Sequence, residues 1–212
     1  MDTDKNILLL RVGFTSALIF SIILVLFDIL YVVMARNPSL EYIQFFIYGL
    51  GLILTPSFII LITTIYLLSA KSLRIWGLIG LCFGLSYSII VSMVYFIQLG
   101  VVLPNMINDT MSELEMINMS NPRSVVWAVN YLGWIFMGLA TIFIGLSFGD
   151  NSSMRWVKRL FIIHGLFTII AMIGYLLDNF YLQMGVLFSW LLLLPVATFI
   201  LAIKFRKRKF ES

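Results

Sequence analysis

The stretch LLLRVGFTSALIFSIILVLFDILYVVM, at residues 8–34, decides the fold because it is long and almost wholly apolar. A helix of about 20 apolar residues crosses the roughly 30 Å hydrocarbon core of a membrane. Hydrophobic residues make up 61% of the 212 positions, and the mean hydropathy is +1.04. Five further stretches of this kind lie at residues 42–68, 75–103, 125–148, 156–177 and 182–203. The sequence predicts an all-α integral membrane bundle of six transmembrane helices, forming a single domain over 1–212.

Lys and Arg are distributed unequally among the segments between these stretches. Of the 14 basic residues, all except Arg36 and Arg123 lie in the N-terminal segment, the second and fourth loops and the C-terminal tail. Cytoplasmic loops carry the excess of Lys and Arg in membrane proteins. The sequence therefore predicts a multi-pass plasma-membrane protein with both termini in the cytoplasm. The basic tail at 204–212 predicts contact with anionic lipid headgroups rather than with nucleic acid.

Asp28 is an ionisable residue inside the first apolar stretch. Such a residue costs several kcal/mol unless it is paired or faces water, so it marks a functional site by default. It precedes Arg36 by eight residues, which is about 12 Å along a helix. Two interpretations stay open: Asp28 binds a ligand, an ion or a proton, or its carboxyl group is protonated or hydrogen-bonded to Tyr31 or a neighbouring helix and only stabilises the bundle.

Other polar and aromatic residues share the depth of Asp28 in the predicted topology. Together they predict an outward-facing pocket with an apolar body and few polar groups, as in small-molecule sites. The alternative is an ordinary belt of interfacial aromatic residues, with a simple turn near residue 178. Gln44, Tyr48 and Gln183 flank the same level. The candidate ligand-binding residues are Asp28, Tyr31, Tyr95, Gln98, Asn130, Tyr131, Trp134, Tyr175 and Asp178.

His164 is the only histidine of the chain. It shares one helical face with Thr168 and Ala171, and the imidazole titrates near neutrality, so this face is a possible proton path. The alternative is a buried histidine that bonds to a neighbouring helix. A single His cannot supply the two axial ligands of a membrane haem, and Cys82 is the only cysteine. We therefore expect no cofactor and no metal site.

The loop at residues 105–123 is the longest connection. Met111, Leu114 and Ile117 recur at helical spacing among polar residues. This pattern predicts a short interfacial helix near 109–118, lying on the outer membrane surface.

Several apolar runs carry a resemblance to a known group of proteins. They are IWGLIG at residues 75–80, YFIQ at residues 95–98, NP at residues 121–122, and Gly133 followed by GLAT at residues 138–141. In these runs the chain resembles a family of small prokaryotic six-span membrane proteins of unknown function. The resemblance implies a six-helix architecture and a prokaryotic source, and it implies no activity or site residues.

Three functions are compatible with these features. The first is the binding or transport of a small ligand or ion through the outward-facing pocket. The second is a non-catalytic membrane scaffold or assembly partner for another protein, in which the same polar groups hold helices together. The third is a lipid-modifying enzyme, which needs at least two acid or base groups that converge in one cavity. We expect binding or transport rather than catalysis.

Overall fold

Six helical spans form the structure, a computed structural model that describes residues 3–37, 41–149 and 153–207. No strand occurs within these ranges. The α-helices are α1 (Thr3–Arg36), α2 (Glu41–Leu68), α3 (Arg74–Ile97), α4 (Leu103–Ile107), α5 (Val125–Ser147), α6 (Arg155–Leu176), α7 (Phe180–Phe188) and α8 (Leu194–Arg206). All six spans are long and apolar enough to cross a membrane. The predicted all-α six-helix bundle is confirmed.

Two of the spans contain a π-helical turn ahead of a proline. The turn Gln98–Val102 joins α3 to α4 before Pro104, and the turn Ser189–Leu193 joins α7 to α8 before Pro195. A proline lacks the N–H of an α-helical bond and its ring crowds the carbonyl four residues back. The wider turn relieves this conflict, since the residue ahead of each proline donates to a carbonyl five residues back. The third and sixth spans therefore stay continuous.

The spans pack in a closed ring that follows their order in the sequence. Each span contacts the next one, and α8 returns to contact α1. A hydroxyl pair joins these two helices, with Ser21 Oγ and Thr198 Oγ1 2.6 Å apart. Since lipid tails compete equally well for apolar side chains, close packing and hydrogen bonds between helices hold such a ring together.

The backbones of α5 and α6 approach each other closely at two glycines. A methyl group built on Gly138 would lie 3.0 Å from the carbonyl oxygen of Gly165. One built on Gly165 would overlap the carbonyl oxygen of Gly138 and crowd the side chain of Ile142. The two glycines therefore let the helices meet backbone to backbone, as small residues do in membrane bundles.

The loop after α4 differs from its prediction. In place of a surface helix over 109–118, it forms turns and one 3-10 turn, Glu115–Ile117. Asp109 has a left-handed φ of 56°, which a right-handed helix does not accommodate. Farther along, the side chain of Asn118 accepts a hydrogen bond from the N–H of Ser120, at 2.8 Å. Asn side chains that bond to nearby backbone in this way compete with helix formation.

The described basic residues other than Arg36 and Arg123 lie at one end of the bundle, called here the basic end. Arg36 and Arg123 lie near the opposite end, the Arg36 end. The amine of Lys204 in α8 donates to Ser153 Oγ, at 3.3 Å, ahead of α6. The predicted basic tail is described only as far as Lys207, and its residues 208–212 lie outside the described residues. The described basic side chains at the basic end are Arg11, Lys71, Arg74, Arg155, Lys158, Arg159, Lys204, Arg206 and Lys207.

Candidate functional site

A cavity of about 490 Å³ lies inside the ring of helices, towards the Arg36 end. Its size is that of a typical small-molecule site, which has roughly 300–1,000 Å³. Five spans and the loop before α5 contribute side chains to it. The described lining residues are Phe27, Asp28, Tyr31, Met34, Gln44, Ile47, Tyr48, Tyr95, Met106, Met119, Ser120, Pro122, Trp127, Trp134, Val186, Leu187 and Trp190. We call this space the aromatic cavity.

Aromatic rings from five spans form a continuous wall around the cavity. The ring centroids of Tyr48 and Tyr95 lie 5.7 Å apart, and Tyr95 lies 6.2 Å from Phe27. Phe27 lies 6.3 Å from Trp190, and Trp190 lies 5.8 Å from Trp134. Such separations are typical of interacting aromatic pairs. The ring contacts therefore link α1, α2, α3 and α5 to the sixth span around one space.

Asp28 is the one charged side chain among the described residues that line this cavity. It is 8% exposed, and no described residue donates a hydrogen bond to its Oδ2 atom. Buried polar atoms in folded proteins nearly always have a partner, so an orphaned carboxylate oxygen calls for an explanation. A ligand that enters the cavity would supply that partner.

Four of the nine predicted ligand-binding residues line the cavity. They are Asp28, Tyr31, Tyr95 and Trp134. Gln44 and Tyr48, which sequence reasoning placed at the edge of the site, line it too. The structure thus brings these side chains of α1, α2, α3 and α5 together around one cavity.

Tyr131 and Tyr175 lie behind this wall and not on its surface. Their rings stack at 4.3 Å with an interplanar angle of 11°. The Tyr131 hydroxyl donates to Gln183 Oε1 at 3.3 Å, and its ring contacts Trp134 at 4.9 Å. These two tyrosines therefore connect α5, α6 and α7 and support Trp134 from outside the cavity.

Asn130 and Asp178 also lie away from the described lining. Asn130 is fully buried in α5, and neither atom of its amide group has a hydrogen-bond partner among the described residues. Asp178 is exposed in the turn between α6 and α7, with a left-handed φ of 50°. Asp residues tolerate this conformation better than most, which accounts for its place in the turn.

Gln98 holds the loop that lines one side of the cavity. Its amide Nε2 donates to the carbonyl oxygen of Ile117 at 2.7 Å, and its Oε1 accepts from the N–H of Met119 at 3.0 Å. Gln98 is fully buried, while Met119 and its neighbour Ser120 line the cavity. The Gln98 side chain therefore positions the loop against the helices.

Replacing Gln98 by Leu is expected to release this loop while the six spans stay folded. Both backbone partners lose their bond, and an unpaired buried group costs about 1–3 kcal/mol. Amide hydrogen exchange at residues 117–119 should become at least tenfold faster. Asn105→Ala serves as the control, because the partners of the Asn105 side chain among the described residues, Val101 and Thr110, lie close to it in the chain. Unchanged exchange in Gln98→Leu would contradict this role.

His164 lies in α6, outside the described cavity lining. It is fully buried, and its Nδ1 atom lies 3.4 Å from Thr141 Oγ1. The ring Nε2 atom has no partner among the described residues, and the ring centroid lies 6.5 Å from that of Trp190. A proton path through His164 stays a prediction.

Sequence reasoning missed three aromatic lining residues, namely Phe27, Trp127 and Trp190. Phe27 is adjacent to Asp28 in the chain, and Trp127 precedes Trp134 by two helical turns. Both residues could therefore have been predicted from their positions relative to predicted site residues. For Trp190, the only signal was a large polar-tipped ring in the middle of an apolar stretch that also contains Pro195.

Comparison with protein-family models, with curated proteins and with solved structures finds no match to this chain.

Proposed function

We propose that this polytopic membrane protein binds a small ligand in the aromatic cavity, and that it serves in the uptake, export or sensing of that ligand. The observation that carries the proposal is the cavity itself. It joins about 490 Å³ of space, a wall of aromatic rings and one buried carboxylate. Small-molecule sites have this composition, with an apolar body and few polar groups.

The unpaired polar atoms support binding over a scaffold function. Groups that only join helices are expected to have partners, as Ser21 and Thr198 have. Asp28 Oδ2 lacks one among the described residues, although it lies in the wall of a cavity. In a scaffold, an unsatisfied carboxylate would lower the stability of the helix bundle without contributing to function.

We infer that the basic end faces the cytoplasm of a plasma membrane. The excess of Lys and Arg at that end supports this orientation, because such loops stay on the cytoplasmic side. The aromatic cavity then lies in the outer half of the bilayer, and the basic residues near the end of α8 contact anionic lipid headgroups.

The test fills the cavity from one wall. Val186 is 6% exposed and lines the cavity, whereas Val196 is 40% exposed on the outside of α8. Val186→Trp should occupy the space, and Val196→Trp adds the same ring at the lipid-facing surface. Wild type and both variants are melted in lipid nanodiscs with a panel of cationic, anionic and neutral small molecules. A ligand that binds the folded state raises the melting temperature.

We expect at least one compound to raise the melting temperature of wild type and Val196→Trp, and to leave Val186→Trp unchanged. Ile47→Phe, which fills the cavity from α2, provides a second blocked variant if Val186→Trp does not fold. A panel without any effect, or an effect that is equal in the blocked variants, would favour the scaffold function instead.

A further inference from the structure

The aromatic cavity combines a single acidic side chain with seven aromatic rings, and this combination favours one ligand class. We infer that the ligand is an organic cation, an amine or quaternary ammonium compound with an apolar body. The inference rests on the proposed binding function and adds the chemistry of the ligand. Its test is arranged so that the two fail in different ways.

The charged side chains of the cavity lining favour a cationic ligand. Asp28 is its only acidic residue, and no Lys, Arg or His stands among the described lining residues. An anionic ligand would meet a carboxylate and no compensating charge, which is unfavourable where water is scarce. A cation would meet an opposite charge instead, and it would give the Asp28 carboxylate the partner that the protein does not supply.

The aromatic rings of the cavity lining also favour a cationic ligand. Seven aromatic side chains line the cavity, contributed by α1, α2, α3, α5 and the sixth span. The face of an aromatic ring is electronegative and attracts a cation placed within about 6 Å of its centroid. Rings on several sides, together with one carboxylate, are the arrangement that binds quaternary ammonium groups. The same rings offer apolar contacts to the remainder of such a molecule.

An inorganic cation fits this site less well than an organic one. Hard metal ions require about six or more oxygen ligands at close range. The lining offers one carboxylate, one amide, one serine and three tyrosine hydroxyls, spread around about 490 Å³. Among the described residues, no group of three or more His, Cys, Asp or Glu is placed to hold a metal. The volume and the rings match a bulky cation with low charge density.

Gln44 adds an amide group to the cavity from the neighbouring helix α2. It is 6% exposed and lines the cavity from α2, while Asp28 does so from α1. An amide oxygen accepts hydrogen bonds from an ammonium group, and an amide N–H donates to a ligand oxygen. A primary or secondary amine can therefore donate to either group, whereas a quaternary ammonium, which has no N–H, relies on Asp28 and the rings.

The test uses three probes that share a benzyl group and differ in charge. They are benzyltrimethylammonium, its neutral carbon isostere neopentylbenzene, and phenylacetate. Each labelled probe is titrated by equilibrium dialysis against the full chain in lipid nanodiscs, with empty nanodiscs subtracted for lipid partitioning. We expect saturable binding of the cation, at least tenfold tighter than that of either other probe.

Two variants separate the contributions of charge and ring surface. Asp28→Asn should weaken cation binding at least tenfold and leave the neutral probe unchanged. Asp109→Asn is the matched control, because it removes the same charge from an exposed loop residue whose left-handed φ suits Asn. Trp127→Leu should weaken binding of the cation at least threefold, and this loss should exceed the loss in binding of the neutral isostere. If Asp28→Asn does not fold, Trp127→Leu alone tests whether the ligand is an organic cation.

The outcomes distinguish the two proposals. If the neutral probe or phenylacetate binds as tightly as the cation, and Val186→Trp blocks that binding, the cavity is a binding site but the ligand is not an organic cation. If no probe binds wild type more than it binds Val186→Trp, both proposals are overturned. Cation binding that is unaffected by Asp28→Asn and Trp127→Leu also overturns the assignment of the ligand class.

Discussion

Replacing Gly165 by Ala is expected to lower the free energy of unfolding by about 1–3 kcal/mol, the usual cost of overpacking a tight interface. The added methyl group would overlap the backbone oxygen of Gly138, and a backbone atom cannot turn aside as a flexible side chain can. The two helix backbones would therefore have to move apart at this contact. Reversible unfolding in mixed micelles, followed by circular dichroism, measures the change.

Gly49→Ala is the matched control for this prediction. Gly49 lies within α2, and a methyl group built there meets nothing within 4 Å. Since Ala is a better helix former than Gly, this variant should be unchanged or more stable by up to about 1 kcal/mol. Equal effects of the two substitutions would contradict the close backbone contact of α5 with α6.

Replacing Asp28 by Leu is expected to raise the free energy of unfolding by about 2–3 kcal/mol. A carboxylate within a span is costly, and Leu is among the residues that a span favours most. Asp28 has no hydrogen-bond donor for Oδ2 among the described residues, so its removal breaks no bond at that atom. A residue that lowers stability and yet lies in a cavity is typical of a functional site.

The sign of the Asp28→Leu effect separates binding from a scaffold function. If the carboxylate holds helices together, its loss lowers the melting temperature, as breaking a buried polar contact does. If the carboxylate binds a ligand, the melting temperature of the ligand-free protein rises. Glu113→Leu is the control, because Glu113 is exposed in the loop and should change stability by no more than about 0.5 kcal/mol.

The number of spans was predictable because apolar length is a property of the sequence alone. The loop after α4 was not, although its apolar residues recur at helical spacing. Its conformation depends on the distant Gln98, which bonds to Ile117 and Met119 across about twenty residues. Local pattern carries no information about such a partner, and Asn side chains offer the backbone an alternative to a helix.

The composition of the cavity wall was predictable only in part. In a membrane, lipid-facing and interior positions are equally apolar, so hydropathy does not reveal which face of a helix turns inward. In α1, Phe27 is 8% exposed and Ile29 is 53% exposed, although both are large apolar residues. Asp28 and the tyrosines were recognisable because they are polar. Trp190 lies in a π-helical turn, which shifts the helical phase that a regular α-helix would have.

The closure of the ring by α1 and α8 has a consequence for the order of synthesis. Ser21 and Thr198 are 177 residues apart, and the residues that close the cavity on that side, Val186 and Trp190, are made after those of the first five spans. A nascent chain on the ribosome therefore carries α1 with one flank uncovered until the sixth span emerges. The cavity is therefore completed late, when the newest helix docks beside the oldest.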